Sequence, residues 1–276
     1  MINQHLLDHM DGSKLGERRR ESFDEVAELY DKARPGYPES LVQDLESLAS
    51  LSRSSRILEV GAGTGQLTTR LAKSGADILA LEIGVNLAEV LRRNLARFSN
   101  VHVLVEDYDE WKPKGALFDL VVVATAFHWL NPATRMQKAA SLLRPGGMLA
   151  VIETHWVSRG AEDAFPRESQ LCYARWDRSH DPAFRPRELA DLKDRNDDLE
   201  NAEVFESILH RRYLCDHHFG ASAYCDLLAT FSDIRALDES ARAGFLSCIE
   251  HLIETRFHGT ITSRAIYELW LAQTSI

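Results

Sequence analysis

The sequence predicts an α/β fold, a doubly wound and mostly parallel sheet with helices on both faces. Three observations predict it. Short runs rich in Ile, Leu and Val recur between residues 56 and 153, segments of helical period separate them, and a glycine-rich loop follows the first run. The runs are nearly continuous in apolar residues and do not alternate with polar ones, as suits strands covered on both faces.

Taken in order, "FDEVAELYDKARPGYPESLVQDL" (23–45) predicts two helices split at Pro35-Gly36. The strands follow as "RILEV" (56–60), "DILALEI" (77–83), "VHVLV" (101–105), "FDLVVVATA" (118–126) and "GMLAVIE" (147–153). Gly75 sits where the helix after the glycine loop should end. Leu87, Leu91, Leu95 and Phe98 make one apolar helical stripe. Asn131-Pro132 supplies an N-cap and first turn for the next helix, and "RPGG" (144–147) stops it. Residues 154–202 are polar and irregular, with a charge-dense piece at 185–201, and read either as a substrate cap or as a solvated helical pair. "EVFESILHRRYL" (203–214) looks strand-like, 239–257 carries Phe245, Ile249, Leu252 and Ile253 on a helical face, and 260–273 closes as a last strand. No linker is evident. The expectation is a single domain over 1–276, with an N-terminal helical segment (1–52), a cofactor-binding core (53–153), a cap (154–202) and a C-terminal completion of the sheet (203–276).

At 276 residues, with 45% apolar and 27% charged residues, the composition is that of a globular protein. The net charge of -10 argues against a nucleic-acid partner, which needs clustered Lys and Arg. The one compact basic run, RRR at 18–20, is flanked by Glu17 and Glu21 and reads as a solvated helix face. Cys172, Cys215, Cys225 and Cys248 show neither metal-knuckle nor CxxC spacing. Cys215 and His217, next to His218, would offer two ligands on one strand face, a poor site, so no metal is expected. The N-terminal stretch contains acids and lacks a long apolar core, which argues against a secretory signal. The longest apolar stretch, 116–130, is broken by Asp119 and His128, so no membrane partner is expected. These features fit a cytoplasmic, reducing setting.

The loop "LEVGAGTGQLT" (58–68) carries the functional signal. A dinucleotide fingerprint needs G-x-G-x-x-G, but after Gly61 and Gly63 the third glycine's place is taken by Gln66, with Gly65 one position early. The phosphate-loop pattern also fails, because no lysine follows. Glu59 lies two residues before Gly61, and Glu82 ends the second strand, where a carboxylate can accept two ribose hydroxyls. A second carboxylate facing the loop would repel pyrophosphate and suit a ligand bearing an ammonium and a sulfonium. S-adenosylmethionine has both charges and no phosphate.

On these residues the sequence resembles the class I S-adenosylmethionine-dependent methyltransferases. "LEVGAGTGQL" looks like their first motif and "ALEIG" (80–84) like the acidic strand end; "VEDYDEW" (105–111) is similar to the segment edging the adenine. "FDLVVVATAFHWL" and "LLRPGGMLAVIE" match the fourth strand and the turn into the fifth. "FDEVAELYDKARPGYP" resembles a small-molecule branch that includes trans-aconitate methyltransferase-like proteins. The resemblance implies a seven-stranded, Rossmann-like sheet. It implies that Gly61, Ala62, Gly63 and Gly65, with Gln66, line the methionine and ribose portion. Glu82 would hold the ribose, Ile83 would pack on the adenine, and Asp107 with the Tyr108 backbone would read its edge. Tyr30 and Arg34 match positions that close over the cofactor, with Arg34 a partner for its carboxylate.

Methyl transfer needs alignment and exclusion of water, and a base only where the acceptor must lose a proton. Ligands of a doubly wound sheet sit beyond the carboxyl ends of the strands, which points to Thr125 as a cofactor-binding residue and to Phe127, His128 and Trp129 at the acceptor. No Asn-Pro-Pro-Tyr-like tetrad stands there, which counts against base amines as acceptors. His128 suits a general base, or else orders the pocket wall. Trp129 stacks on a flat acceptor, or is core or rim. A second pair, His155 and Trp156, follows the fifth strand, and together the pairs would border a partly apolar pocket for a small acceptor. A carboxylate acceptor would need no base but would call for arginines, such as Arg34, Arg185 and Arg187. The expected activity is methyl transfer to a small molecule, with hydroxyl or carboxylate oxygen favoured; the alternative is a cofactor-binding protein without transferase activity.

Overall fold

The computed structural model describes residues 22–113, 115, 117–177, 180–181 and 183–275. The basic run 18–20 lies outside them. The described residues fall into two compact units: one within 35–154, 193–213 and 267–275, the other within 22–34, 155–192 and 214–266.

The first unit holds the sheet. Its strands are β1 (Arg56–Val60), β2 (Asp77–Glu82), β3 (Val101–Val105), β4 (Phe118–Ala124), β5 (Leu143–Val157), β6 (Phe205–Gly220) and β7 (Thr260–Thr274). The order is β3-β2-β1-β4-β5-β7-β6, mostly parallel, as expected for a Rossmann-like methyltransferase fold. β5, β6 and β7 continue into residues of the second unit. Ile57, Leu58 and Val60 on β1, and Leu120 to Val123 on β4, are at most 1% exposed. A strand buried on both faces has no reason to alternate, which is why these runs are continuously apolar. Parallel registers join Glu59 to Ala80 and to Val122, so β1 lies between β2 and β4 with the carboxyl ends of all three on one edge. The order reverses at β1/β4, the place where such sheets open a ligand crevice.

Helices α1 (Ala27–Ala33) and α2 (Glu39–Leu48) flank the Pro35-Gly36 break, as predicted. Helix α3 (Thr68–Leu71) runs into a 3-10 turn that Gly75 ends at φ +82°. In α4 (Val85–Asn94) the predicted stripe is buried at Leu87 and Leu91 and continues through Leu95. One boundary differs. Helix α5 (Arg135–Leu142) starts beyond Asn131-Pro132, because the Asn131 side chain accepts the Ala133 N–H (3.0 Å) and forms a local turn instead of a helix cap. α5 does stop ahead of the RPGG stretch, and β5 begins there with an irregular register.

In residues 154–202 the chain forms α6 (Ala164–Glu168), α7 (Gln170–Trp176) and α8 (Asp197–Glu200); beyond β6 come α9 (Ala221–Leu228), α10 (Ser232–Arg235) and α11 (Glu239–Arg256). Asp238 caps α11 by accepting the Ala241 N–H (2.8 Å). The second unit has its own core, in which Phe165, Tyr173, Tyr224, Leu228, Phe245 and Ile249 pack together. A disulfide joins Cys172 on α7 to Cys248 on α11. The reducing setting expected from cysteine spacing does not foresee this bridge: its partners are 76 residues apart, beyond any local motif. His217 packs on Trp156 and Phe219, and His218 Nδ1 lies 2.9 Å from the Thr262 hydroxyl. No helix among the described residues is long and apolar enough to cross a membrane.

Where α7 meets α11, Gly244 faces the Trp176 ring so closely that an added methyl would overlap three ring atoms. Gly244→Ala should therefore destabilise the protein by ~1–3 kcal/mol, as overpacking does, despite the better helix propensity of alanine. Urea unfolding measures this, and a variant as stable as the parent would refute the tight packing.

Candidate cofactor site

The glycine loop leaves β1 at Val60 and crosses the strand end in left-handed backbone. Gly61 has φ +69° and Gly65 φ +98°, conformations that side chains with a Cβ resist. Space forbids a Cβ as well: at Gly61 it would meet the Ala126 methyl at 2.7 Å, and at Gly65 Leu91 Cδ1 at 2.7 Å. The first contact sets the loop against the turn after β4; the second lets α4 pack under it. Asn94 at the end of α4 donates to the Thr64 carbonyl (2.9 Å) and ties the loop to that helix. Gln66 donates to the Thr64 hydroxyl (2.6 Å).

Glu82 organises the loop. Gly63 N–H donates to its Oε2 (2.7 Å) and Gly84 N–H to its Oε1 (2.9 Å). A carboxylate oxygen offers two lone pairs and can take more than one donor. Next to it Ile83 is 44% and Val85 56% exposed, an apolar ledge at the end of β2. Beyond β3, Asp107 Oδ1 accepts the Asp109 N–H (2.9 Å) and shapes the turn. Lys138 of α5 braces the same turn, its ammonium donating to the carbonyls of Tyr108, Asp109 (3.0 Å) and Trp111 (2.8 Å). Burial holds that ammonium below its ordinary range against the pull of Asp109. Tyr108 is buried in the core.

Glu59 corrects the sequence reading. It is 2% exposed, and its Oε2 has no hydrogen-bond partner among the described residues. Burial pushes its carboxyl from 4.5 up to about 8; the negative charge of Glu82 adds to this and the Thr68 hydroxyl opposes it. At neutral pH the group is therefore a neutral acid, not a charge that repels pyrophosphate. Such a group ionises when a cation arrives beside it. An orphaned buried acid and a cradle that a Cβ would fill fit a cationic nucleoside.

At the end of β4, Thr125 has φ +56° and its hydroxyl lies between those of Tyr37 (3.1 Å) and Thr154 (3.2 Å). His128 and Trp129 follow in a 3-10 turn over Phe127–Trp129, both half-buried, with ring centroids 4.7 Å apart. Phe127, expected on the pocket wall, instead packs into the sheet's core, with Arg135 over its ring at 4.2 Å. The 3-10 turn directs Phe127 inward, which residue type alone does not reveal.

The remaining expected residues belong to the second unit, and their described partners lie there. Arg34, expected at the cofactor carboxylate, donates through Nε to the Thr230 hydroxyl (2.8 Å) and through Nη2 to the Thr230 carbonyl (3.0 Å). Its guanidinium lies over the rings of Phe231 (4.4 Å) and Tyr30 (5.0 Å). His155 is buried, with Nδ1 3.2 Å from an Arg187 nitrogen, and Trp156 packs on His217. Arg185 makes a two-pronged pair with Asp191 (both 2.6 Å). Sequence reasoning missed Tyr37, Thr154, Asn94 and Lys138, because each acts on a segment far away in the chain.

Comparison with known proteins follows this geometry. Residues 57–147 match the family described as a methyltransferase domain. An uncharacterized methyltransferase of Mycobacterium bovis is 35% identical over 147 residues, 53% of this chain and 56% of that protein. The chain thus spans about half the length of the curated relatives it matches. Among solved structures, Haemonchus contortus phosphoethanolamine N-methyltransferase 2, in complex with phosphomonomethylethanolamine and S-adenosylhomocysteine, superposes with a TM-score of 0.52 at 12% identity, covering 95% of this chain and 60% of that one. The 4+2 cyclase SpnF superposes with a TM-score of 0.54 at 18% identity, covering 95% and 96%. At such identities these likenesses show the fold alone.

Glu59 yields a test of the site's electrostatics. Between about pH 5 and 8 the folded protein keeps a proton that the unfolded chain has released, so this residue makes stability fall as pH rises, by at most ~1.4 kcal/mol per pH unit. Glu59→Gln should remove that component. Urea unfolding at several pH values compares the two proteins, and parallel profiles would show that Glu59 titrates normally.

Proposed function

We propose, starting from the match of residues 57–147 to a methyltransferase domain, that the protein transfers a methyl group from S-adenosylmethionine to an oxygen of a small-molecule acceptor. The observation that carries this reading is Glu82 fastened to the glycine loop beside the buried Glu59, with no lysine in the loop sequence 58–68 to receive phosphates. When bound, the cofactor would supply a methyl carbon activated by its sulfonium, the S–C bonding electrons returning to sulfur as the acceptor oxygen takes the methyl. The protein's part is binding and alignment. Gly61, Ala62, Gly63 and Gly65, with Gln66, cradle the methionine and ribose portion. Glu82 would accept the ribose hydroxyls, Ile83 would support the adenine, and Asp107 with the Tyr108 backbone would read its edge. Glu59 supplies the negative charge opposite the bound cation once it has lost its proton.

His128 is the base for a hydroxyl acceptor, and Trp129 borders the same turn. The arginines that a carboxylate acceptor would require, Arg34, Arg185 and Arg187, all hold partners within their own unit. That favours a hydroxyl over a carboxylate. A second reading, a cofactor-binding protein without transferase activity, draws support from the same fold occurring in a protein described as a cyclase.

Calorimetry with S-adenosylhomocysteine and NADH side by side tests the cofactor assignment: the thioether should bind and NADH should not. Binding of NADH alone would sink it. With an acceptor found by screening methyl-labelled cofactor against small alcohols and phenols, His128→Ala and His128→Asn should both lower kcat by ~10²–10⁴-fold, as removal of a general base does. Full turnover with an unchanged pH profile would leave His128 as pocket wall. Cofactor binding with no methylation of any acceptor would favour the second reading.

A further inference from the structure

Three hydroxyls meet at the carboxyl end of β4, and the backbone that presents the middle one is strained. Thr125 holds φ +56°, a region that a β-branched residue rarely adopts without being held there. Its N–H donates to the Ile152 carbonyl (2.7 Å). Its hydroxyl lies 3.1 Å from that of Tyr37 on one side and 3.2 Å from that of Thr154 on the other. Tyr37 is itself fixed: its ring meets Tyr267 edge-on at 5.8 Å, and the Tyr267 hydroxyl donates to the Gly36 carbonyl (3.3 Å). An outlier held from three directions is a candidate for function. Tyr37, Thr125 and Thr154 are only half-buried, so a ligand can reach them.

Placement in the sheet says which part of a ligand this is. Glu82 and Ile83 stand at the end of β2 and Asp107 after β3, so the adenosine lies on that side of β1. β4 is the neighbour of β1 on the opposite side. The Thr125-Ala126 turn abuts the glycine loop there, since a Cβ on Gly61 would strike Ala126. The amino-acid end of the cofactor therefore faces this turn.

The geometry points to Tyr37 as a positioning residue. Through its hydroxyl contact with Thr125, shared with Thr154, it holds the β4 turn in the form that receives the amino-acid end of the cofactor. It thereby sets the preference for the whole cofactor over adenosine thioethers that lack that end. The inference rests on the cofactor reading above.

The test uses the full chain and two probes, S-adenosylhomocysteine and 5′-methylthioadenosine, which share the adenosine and the thioether but differ in the amino acid. Calorimetry reads the first and ligand-observed NMR titration the second, which binds more weakly. Tyr37→Phe keeps the ring on Tyr267 and deletes only the hydroxyl; Thr154→Val keeps the shape. Each should weaken S-adenosylhomocysteine binding ~5-fold or more while 5′-methylthioadenosine stays within about twofold. The double variant should lose less than the product of the two, because both act through Thr125. Equal losses for both probes would reveal general loosening and overturn the inference, as would unchanged S-adenosylhomocysteine binding in both variants. Parent protein that binds the two probes equally well would overturn it too, while leaving the cofactor reading intact. Parent protein that binds neither would overturn both.

Discussion

Two carboxyl groups beneath one glycine loop are the constraint on which the site depends. Glu82 accepts the N–H groups of Gly63 and Gly84, which holds the loop to the end of β2. Glu59, buried on β1, stays protonated at neutral pH because its ionisation would add a second charge in a dry place beside the first. The pair stores an unexpressed negative charge. On the proposed reading, a cation in the cleft favours release of that proton near neutral pH, and the strand that centres the fold would then select the charge type of the ligand. A diphosphate finds no lysine or arginine within the loop sequence 58–68 and one fixed carboxylate already in place.

The strands were legible because burial on both faces leaves continuous apolar runs, and β1 to β4 follow those runs to within two residues. β5 starts earlier than its apolar run, since Leu143 to Gly147 pair irregularly through backbone groups that side-chain type does not report. Asn131 shows the limit of a local signal: the same side chain that caps helices also closes turns, and here it closes a turn. At the site, the glycine loop and the acids at the strand ends could be read because each acts within a few residues of itself. The role of Glu59 could not, because its charge depends on burial that only the folded sheet creates. Arg34 and Thr230 are 196 residues apart, Tyr37 and Thr125 are 88 apart, and no pattern along the chain links either pair.

The division into two units separates what the fold supplies from what remains open to chemistry. The sheet unit contains the glycine loop, Glu59, Glu82, the Thr125 turn and His128. The other unit has its own core, its own disulfide and an internal network that engages Arg34 and Arg187. A shared fold serves unrelated reactions, so the acceptor is to be argued from side chains and not from architecture. Here the side chains at the β4 end are hydroxyls, an imidazole and an indole.

The most direct test of the central claim is the number of protons exchanged when S-adenosylmethionine binds at pH 6.5, obtained by calorimetry in buffers of different ionisation enthalpy. Glu59 is then almost wholly protonated and the ligand's ammonium fully charged. The account predicts net release, approaching one proton per ligand (roughly 0.5 to 1), and its disappearance in Glu59→Gln. Binding with no buffer dependence, or with net proton uptake, would contradict it.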